Sequence, residues 1–390
     1  MTSKASGLRI AKRLDEVGFS DIVQIRNKVM ALRAAGKKVH MLHGGEPYFE
    51  TPEPIKYAAI HALVENQTHY AASSGIAPLR EALAAKLIAK NNIPTTPDQV
   101  IATVGGSQAL YGAFQSILDP GDDALVFSPY WTPIADLIRG AQARPLLVPT
   151  STARRNGIGN TLAQFSTPHT RCIYYNTPQN PSGVVFTRQE AEEVAAFARE
   201  RDLIVVADEA YEDLVYDGAH FSIASLPGMA ERTITCFTFS KTYAMTGWRG
   251  GYAVAPEPFM TALRKLVLYS TNGVPTFVQY AMLQALKTPV SEIDYRLEEY
   301  RKRRVLLVDG LNAVGLECEP PAGAFYAFPN AEKIHKNSRT AAEILLEKAH
   351  IATIPGSVFG AQGEGHLRFG YAISIPEIEA CVEALKAFLG

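Results

Sequence analysis

The sequence contains few cysteines, no long apolar run and almost no charge imbalance. Four of its 390 residues are cysteine, and their spacing fits neither a CxxC motif nor a zinc site: Cys172, Cys236, Cys318 and Cys381. We therefore expect buried free thiols, no metal site and a reducing, cytoplasmic location. No apolar run approaches the ~20 residues of a membrane helix, and the first twenty residues hold no signal-peptide core, so we expect no membrane association.

The charges of the chain are almost balanced, because 38 basic side chains face 39 acidic ones. Nucleic-acid-binding proteins usually carry a basic excess on one face, so we expect no nucleic-acid partner. No GxGxxG motif follows a predicted strand, which argues against a dinucleotide-dependent dehydrogenase. Small neutral or zwitterionic molecules remain as the expected ligands.

Short apolar segments alternate with helical patterns through the middle of the chain. Most are apolar at every position, which is typical of parallel strands whose two faces are both covered by helices. The predicted strands span residues 99–104, 124–127, 145–148, 171–175, 203–207, 233–239 and 252–255. The pattern predicts an α/β fold with a mostly parallel sheet.

The pattern changes after residue 256 to longer helices and two short predicted strands, 316–319 and 324–328. Ser374 and Glu377 have the spacing of a capping box and predict the start of the last helix. Thr187 and Glu190 predict another helix start inside the sheet region. We expect an N-terminal arm and part of a small domain in residues 1–45, a large domain in 46–285, and a small α+β domain in 286–390.

Glycine, serine or charged residues follow several predicted strands. The carboxyl ends of the strands are where α/β sheets bind their ligands. Gly105, Gly106 and Ser107 come after the first strand and before a helix, so they suit either a phosphate site or a tight turn. Asp208 directly follows an apolar strand, where it is either a buried acid that needs a cation or a helix N-cap.

Lys241 ends another apolar strand, between hydroxyl-bearing residues, and Arg249 follows eight residues later. Packing does not explain a lysine at this point, although a surface lysine is the plain alternative. An amine held in such surroundings can attack a carbonyl group.

Taken together, these segments resemble the fold type I, pyridoxal-phosphate-dependent aminotransferases of class I/II, in the aspartate aminotransferase-like group. The resemblance covers nearly the whole chain and depends on eight motifs in order. They are GGEP at 44–47 with TP at 51–52, Tyr70 with Gly75 and LR at 79–80, GGSQAL at 105–110, SPYW at 128–131, NTPQNPSG at 176–183, DEAY at 208–211, SKTYAMTGWRGG at 240–251, and RF at 368–369.

The resemblance implies pyridoxal 5′-phosphate as cofactor. Lys241 would form a Schiff base with the cofactor aldehyde and then move the proton between the substrate Cα and the cofactor. Asp208 would pair with the pyridine nitrogen, and Tyr211 and Asn180 would hydrogen-bond to the phenolic oxygen. Trp131 would stack on the ring, although its neighbour Tyr130 is a second candidate.

The remaining implied roles concern the cofactor phosphate and the substrate. The phosphate would be held by Gly106, Ser107, Thr238, Ser240 and Arg249, and by Tyr70 reaching into the site of the other subunit of a homodimer. Arg368 would bind the substrate α-carboxylate beside Asn180 and Gly45.

The expected reaction is ping-pong transfer of an amino group from an L-amino acid to a 2-oxo acid. A lyase or cyclase that uses the same carbanion is the alternative. Ser107 stands where related aspartate enzymes often carry a lysine, and no second arginine is evident, although Arg264 and Lys265 lie near the right region. With His43 and Tyr48 in the loop expected to cover the substrate, this favours neutral or aromatic amino acids over aspartate.

Overall fold

The computed structural model describes residues 10–18 and 21–390. Its strands are β1 (His40–Met41), β2 (Val100–Val104), β3 (Asp123–Ser128), β4 (Arg144–Pro149), β5 (Thr170–Asn176), β6 (Ile204–Asp208), β7 (Thr233–Thr238), β8 (Gly250–Val254), β9 (Tyr326–Ala327), β10 (Ile351–Ala352), β11 (Ile354–Pro355) and β12 (Leu367–Gly370). Seven of them form one sheet in the order β2-β8-β7-β6-β5-β3-β4. The seven strands predicted between residues 99 and 255 are therefore confirmed.

The sheet is mostly parallel, and only β8 runs antiparallel to its two neighbours. The helices are α1 (Asp21–Ala34), α2 (Glu53–Val64), α3 (Ala77–Asn91), α4 (Gly105–Ile117), α5 (Pro133–Gly140), α6 (Thr150–Asn156), α7 (Ile158–Phe165), α8 (Arg188–Glu200), α9 (Phe259–Thr271), α10 (Thr276–Ala285), α11 (Val290–Ala313), α12 (Ser338–Ile344) and α13 (Ile375–Leu389). Among the described residues, no helix has both the length and the apolar character needed to cross a bilayer.

Helices cover both faces of the sheet, which explains why its strands are apolar at every position. Ala124 and Val126 of β3 pack into a core shared with α4 and α5. Leu125 and Phe127 of the same strand point the opposite way, into a core shared with α7 and α8. Neither face meets water along the middle of the strand, so residues 124–127 are all apolar and the polar residues Asp123 and Ser128 are confined to its ends.

Both predicted capping boxes are present. The Thr187 hydroxyl accepts the Glu190 N–H at the start of α8, and the Glu190 carboxylate accepts the Thr187 N–H. Ser374 and Glu377 make the same reciprocal bonds at the start of α13. Each pair satisfies two N–H groups that an uncapped helix end would leave without partners.

In the C-terminal part, α11, α13, β9 and β12 contribute to one apolar core, which also includes Tyr211, Leu214 and Tyr216 of the preceding part. The strands β9 and β12 belong to a three-stranded sheet in the order β11-β12-β9. The predicted strand 324–328 is shortened to β9, and the predicted strand 316–319 is wrong. In place of a strand partner, the Asn312 side chain in α11 accepts the Cys318 N–H and donates to the Cys318 carbonyl oxygen. One side-chain amide thus occupies both backbone groups that a neighbouring strand would need.

The parallel strands bring polar residues to one edge of the sheet. Asn176, Asp208 and Thr238 are the last residues of β5, β6 and β7, and Asn176 is directly paired with Asp208. Parallel strands end on the same side, so these three side chains lie close together. The candidate functional site is at this edge.

Candidate active site

A cavity of about 590 Å³ opens at the carboxyl edge of the sheet. All but one of the predicted site residues line it: Gly45, Gly106, Ser107, Trp131, Asn180, Asp208, Tyr211, Thr238, Ser240, Lys241, Arg249 and Arg368. The exception is Tyr70, whose side chain is 92% exposed and does not reach the cavity of its own chain. The topology therefore brings together residues from seven separate segments of the sequence.

The amine of Lys241 lies inside the cavity. Its Nζ atom donates a 2.7 Å hydrogen bond to the carbonyl oxygen of Gly45 and lies 5.5 Å from the centre of the Tyr211 ring and 5.6 Å from that of Phe325. No carboxylate among the described residues forms an ion pair with it, and Asp208 attracts it only from beyond ion-pair distance. The amine is thus held by a neutral acceptor and by aromatic faces, beside open space.

Asp208 is a buried acid without a cationic partner. Its Oδ2 accepts a 2.7 Å hydrogen bond from the Tyr174 hydroxyl, and its Oδ1 accepts the Ala210 N–H at 3.2 Å. No cation of the described chain lies within ion-pair distance of this carboxylate. Burial raises the pKa of Asp208 to about 6, although the Tyr174 hydroxyl, the Ala210 N–H and, more weakly, the Lys241 amine beyond ion-pair distance act in the opposite direction.

Arg368 is the opposite case, a buried cation without a carboxylate partner in the described chain. Its Nη1 donates to Asn180 Oδ1 and its Nη2 to the His43 carbonyl oxygen, both at 3.0 Å. The Nε–H has no hydrogen-bond partner among the described residues. Burial lowers the pKa of Arg368, which reflects the cost of keeping a guanidinium from water without an anion.

Tyr326 lines the same cavity, although sequence reasoning did not select it. It is 1% exposed, and its hydroxyl lies 2.8 Å from that of Tyr211. The Arg368 guanidinium lies over its ring, 4.4 Å from the centre. A Cβ atom on Gly45 would come within 3.0 Å of the Tyr326 hydroxyl, so glycine is the residue that fits there without displacing the phenol.

Hydroxyl, N–H and guanidinium groups converge where α4 begins. Thr238 Oγ1 donates to Ser240 Oγ at 2.9 Å, and the N-terminal residues Gly106 and Ser107 of α4 line the same part of the cavity. A helix N-terminus that meets hydroxyls and an arginine is suited to a phosphate group.

Gly105 has a backbone conformation that favours glycine, and the guanidinium of Arg249 lies directly against it. Gly105 has φ +73°, and a Cβ atom there would lie 2.5 Å from the Arg249 guanidinium. Arg249 itself donates to the Thr246 carbonyl oxygen at 2.8 Å and forms no ion pair with a described carboxylate. Glycine at residue 105 is thus explained by its positive φ, and its missing side chain leaves room for the Arg249 guanidinium.

The structure shows which of several alternative residues line the cavity. Trp131 lines the cavity, whereas Tyr130 is buried in the core beneath it. His43 also lines the cavity. Tyr48 is not part of the lining, because its ring packs against Arg303, whose guanidinium carbon lies 4.3 Å from the ring centre.

Arg264 and Lys265 lie outside this chain's cavity. Arg264 pairs with Glu257 at 3.1 Å and also contacts the Asp98 carbonyl oxygen, while Lys265 is exposed. The cavity lining therefore includes only three lysine or arginine side chains from the described part of this chain: Lys241, Arg249 and Arg368.

A polar cluster supports the segment that carries Asp208 and Tyr211. Glu209, Glu212 and His220 have potential ligand atoms within 4.8 Å of one another. The acids already have partners, because Glu209 binds His220 at 2.7 Å and Glu212 binds Lys86 at 2.5 Å. Burial alone would raise the pKa of Glu212, but the nearby lysines lower it to about 2. The cluster ties this segment to α3.

Comparison with known proteins agrees with this geometry. The model of the family "Aminotransferase class I and II" matches residues 37–385. The aspartate/prephenate aminotransferase of Thermus thermophilus is 39% identical, over 98% of this chain and 99% of its own length. Aromatic-amino-acid aminotransferase 2 of Thermococcus litoralis is 38% identical, over 98% of both chains. The structure of the Thermus thermophilus aspartate aminotransferase with maleate superposes with a TM-score of 0.92, at 38% identity, over 98% of this chain and 99% of that one.

The chain therefore belongs to the class I and II aminotransferase family and is a transaminase. The family assignment made from the eight sequence motifs is confirmed, and so is the expected α/β fold.

Proposed function

We propose that the protein is a pyridoxal 5′-phosphate-dependent aminotransferase that moves the amino group of an L-amino acid to a 2-oxo acid by a ping-pong mechanism. One observation carries the proposal: a single cavity is lined by a buried acid without a cation, a buried guanidinium without a carboxylate, and an amine. Isolated buried charges are unfavourable, so such a set fits ligands that supply the opposite charges.

The residues of the cavity fit the cofactor group by group. Asp208 suits a protonated ring nitrogen, and the groups around Arg249 and the start of α4 suit a phosphate dianion. Trp131 offers an aromatic face, and Asn180 and Tyr211 offer hydrogen bonds to a phenolic oxygen. When bound, pyridoxal phosphate supplies an aldehyde for an amine and a ring that accepts electrons from the substrate Cα.

Each remaining residue has a task that its position supports. The Nζ atom of Lys241 takes the proton from the substrate Cα and returns it during transfer. Arg368 holds the α-carboxylate in a two-point contact, which orients the Cα–H bond toward the amine. Gly45 leaves space for the substrate beside the phenol of Tyr326.

We propose neutral or aromatic amino donors over aspartate. The three lysine and arginine side chains that line this chain's cavity all have other assignments: amine chemistry for Lys241, phosphate for Arg249 and α-carboxylate for Arg368. Ser107 offers a hydroxyl where a second carboxylate would need a cation. The named relatives include both aspartate/prephenate and aromatic-amino-acid aminotransferases, so the family accommodates either preference.

We also propose a homodimer in which Tyr70 completes the partner's phosphate site, a role that fits its 92% exposure.

A cytoplasmic location fits the four cysteines, which are all unpaired and buried. The proposed domains are residues 46–285 and 286–390, with residues 1–45 as an arm and part of the small domain. The pairing of β1 with β10 supports a link from this arm to the small domain.

The test is a half-reaction without an acceptor. The cofactor-loaded protein is incubated with an amino acid alone, and the 2-oxo acid and ammonia are measured. Amino-group transfer releases one 2-oxo acid per site and no ammonia, after which the reaction stops until a 2-oxo acid is added. Continuous release of ammonia would instead indicate the lyase alternative and overturn the proposal.

A further inference from the structure

Tyr326 touches both halves of the site, the side proposed for the cofactor and the side proposed for the substrate carboxylate. Its hydroxyl lies 2.8 Å from that of Tyr211. Its ring is edge-on to the Tyr211 ring and lies beneath the guanidinium of Arg368. We propose that Tyr326 is a positioning residue whose hydroxyl donates a hydrogen bond to the Tyr211 hydroxyl and whose ring supports Arg368. This inference depends on the proposed function, which gives Tyr211 and Arg368 their roles.

The direction of the hydrogen bond follows from counting protons. A tyrosine hydroxyl has one proton to donate. If Tyr211 donates that proton to the phenolic oxygen of the cofactor, its own oxygen is left as an acceptor, and the Tyr326 hydroxyl faces it. Tyr326 therefore donates to Tyr211. A hydrogen bond donated into a hydroxyl polarises it, so Tyr211 becomes a stronger donor.

The second contact acts on the other ligand. Arg368 is held at two nitrogens by Asn180 and by the His43 carbonyl oxygen, and its face lies against the Tyr326 ring. An aromatic face attracts a guanidinium and restricts its tilt. The ring of Tyr326, rather than its hydroxyl, is therefore the part that supports carboxylate binding.

Other groups also face the Tyr211 hydroxyl and ring. They are Arg368, Asp208 and, over the ring, the amine of Lys241. None of them needs to change when Tyr326 loses only its hydroxyl. Two substitutions at residue 326 therefore separate the two tasks, because Tyr326→Phe removes the donor and keeps the ring, whereas Tyr326→Leu removes both.

The main measurement is a pH titration of the visible absorbance of the cofactor-loaded protein. The phenolic oxygen of the bound cofactor shares the titrating proton of this chromophore. When the neighbouring hydroxyls donate a weaker hydrogen bond to that oxygen, the oxygen holds the proton more tightly, and the apparent pKa of the chromophore rises. We expect Tyr326→Phe to raise it by about half a pH unit and Tyr211→Phe by more. The double variant should match Tyr211→Phe alone, because Tyr326 acts through Tyr211.

Kinetics provide the second readout. Tyr326→Phe should leave KM for the amino donor within about threefold of the native value, because the ring remains. Tyr326→Leu should raise KM for both the donor and the 2-oxo acid by roughly 3- to 30-fold, the range expected for a lost cation–π contact. Tyr371→Phe is the matched control. Its buried hydroxyl donates to the Ala324 carbonyl oxygen in the same core, and its loss should change neither the apparent pKa nor KM.

The outcomes distinguish this inference from the function on which it depends. If Tyr211→Phe shifts the apparent pKa and Tyr326→Phe does not, only the inference on Tyr326 is overturned. Additive shifts in the double variant would also overturn it, since Tyr326 would then act independently of Tyr211. If Tyr211→Phe causes no shift, the proposed role of Tyr211 is wrong, and the inference fails with it.

Discussion

The Nζ atom of Lys241 donates a 2.7 Å hydrogen bond to the carbonyl oxygen of Gly45, which is 196 residues away in the sequence. Lys241 follows β7 and Gly45 precedes α2, so this bond joins two distant segments inside the cavity. A neutral carbonyl oxygen orients the amine without neutralising it by an ion pair. The amine is therefore in position to react with an aldehyde.

Replacement of this lysine tests the centre of the proposal. Lys241→Ala should lose the covalent attachment of the cofactor and reduce kcat by at least ~10³-fold, because both the nucleophile and the acid–base group are removed. Absorbance spectra after denaturation and gel filtration would show whether the cofactor stays bound. Lys265→Ala, which changes an exposed lysine outside the cavity, should behave like the native protein. Native turnover by Lys241→Ala would refute the assignment.

Removal of the unpaired guanidinium should affect both substrates. Arg368→Ala should lower kcat/KM for the amino donor and for the 2-oxo acid by between about 30-fold and several thousandfold, as expected when a buried charge pair of about 2–5 kcal/mol is lost. Arg368→Lys should recover only part of this, because an ammonium cannot make the two-point contact. Arg264→Ala removes a surface ion pair and serves as the control. A loss confined to one substrate would contradict a shared carboxylate site.

Asp208 makes the stability of the cofactor-free protein depend on pH. Burial raises its pKa from 3.8 to about 6, so between these values the folded state binds more protons than the unfolded state. Its contribution to stability is therefore fully present below about pH 4 and is lost as the pH rises through 6, on the order of 3 kcal/mol in total.

Urea unfolding at several pH values between 4.5 and 7 measures this effect. The native cofactor-free protein should lose stability relative to Asp208→Asn as the pH rises, because the variant cannot ionise at residue 208. Cofactor binding should reverse the trend by supplying a cation to the carboxylate. Parallel curves for the two proteins would show that this carboxylate does not have a raised pKa.

The substrate preference can be altered at the start of α4. Ser107→Lys should raise kcat/KM for aspartate by about 10- to 150-fold relative to an aromatic donor, since a charge-assisted hydrogen bond contributes about 1.5–3 kcal/mol. Ser107→Ala removes the hydroxyl without adding a charge and should not change the ratio of the two donors. A native protein that already prefers aspartate would contradict the proposed preference.

Shared sites predict that two defective chains can complement each other. Tyr70→Ala should weaken cofactor binding by about 10- to 150-fold, as expected for a lost hydrogen bond to a charged group. When equal amounts of the Tyr70→Ala and Lys241→Ala chains are mixed at limiting cofactor, activity should return at about a quarter of all sites. About half of the dimers are then hybrids, and each hybrid contains one intact site. Lys241→Ala mixed with Arg368→Ala should regain none, since both residues belong to the same chain's cavity. Equal behaviour of the two mixtures would contradict a shared site.

The sheet and the charged residues of the site are predicted well from the sequence, because both are marked by differences between neighbouring residues in polarity. Asp208 and Lys241 follow buried apolar strands, so their charges stand out against their neighbours. Tyr326 gives no such signal, since a tyrosine in the apolar run 324–328 resembles an ordinary core residue. Its importance comes from contacts with Tyr211 and Arg368, which are distant in the sequence.

The error at residues 316–319 has a similar physical origin. The segment alternates apolar and acidic residues as a half-buried strand does, but the N–H and C=O groups of Cys318 bond to a side chain of α11, and the Glu317 carbonyl oxygen accepts the Asn330 N–H. The position of Tyr48 outside the cavity likewise depends on Arg303, which lies far along the chain. Both outcomes depend on tertiary packing, so a local sequence pattern does not predict them.

The contact between Asn312 and Cys318 has a consequence beyond the local fold. A chain segment with free N–H and C=O groups is a template on which another chain can add a strand, and such edges promote aggregation. The Asn312 amide occupies both groups of Cys318, so the middle of this segment cannot recruit an intermolecular partner. We expect Asn312→Ala to expose that edge and to make the protein aggregate more readily during refolding.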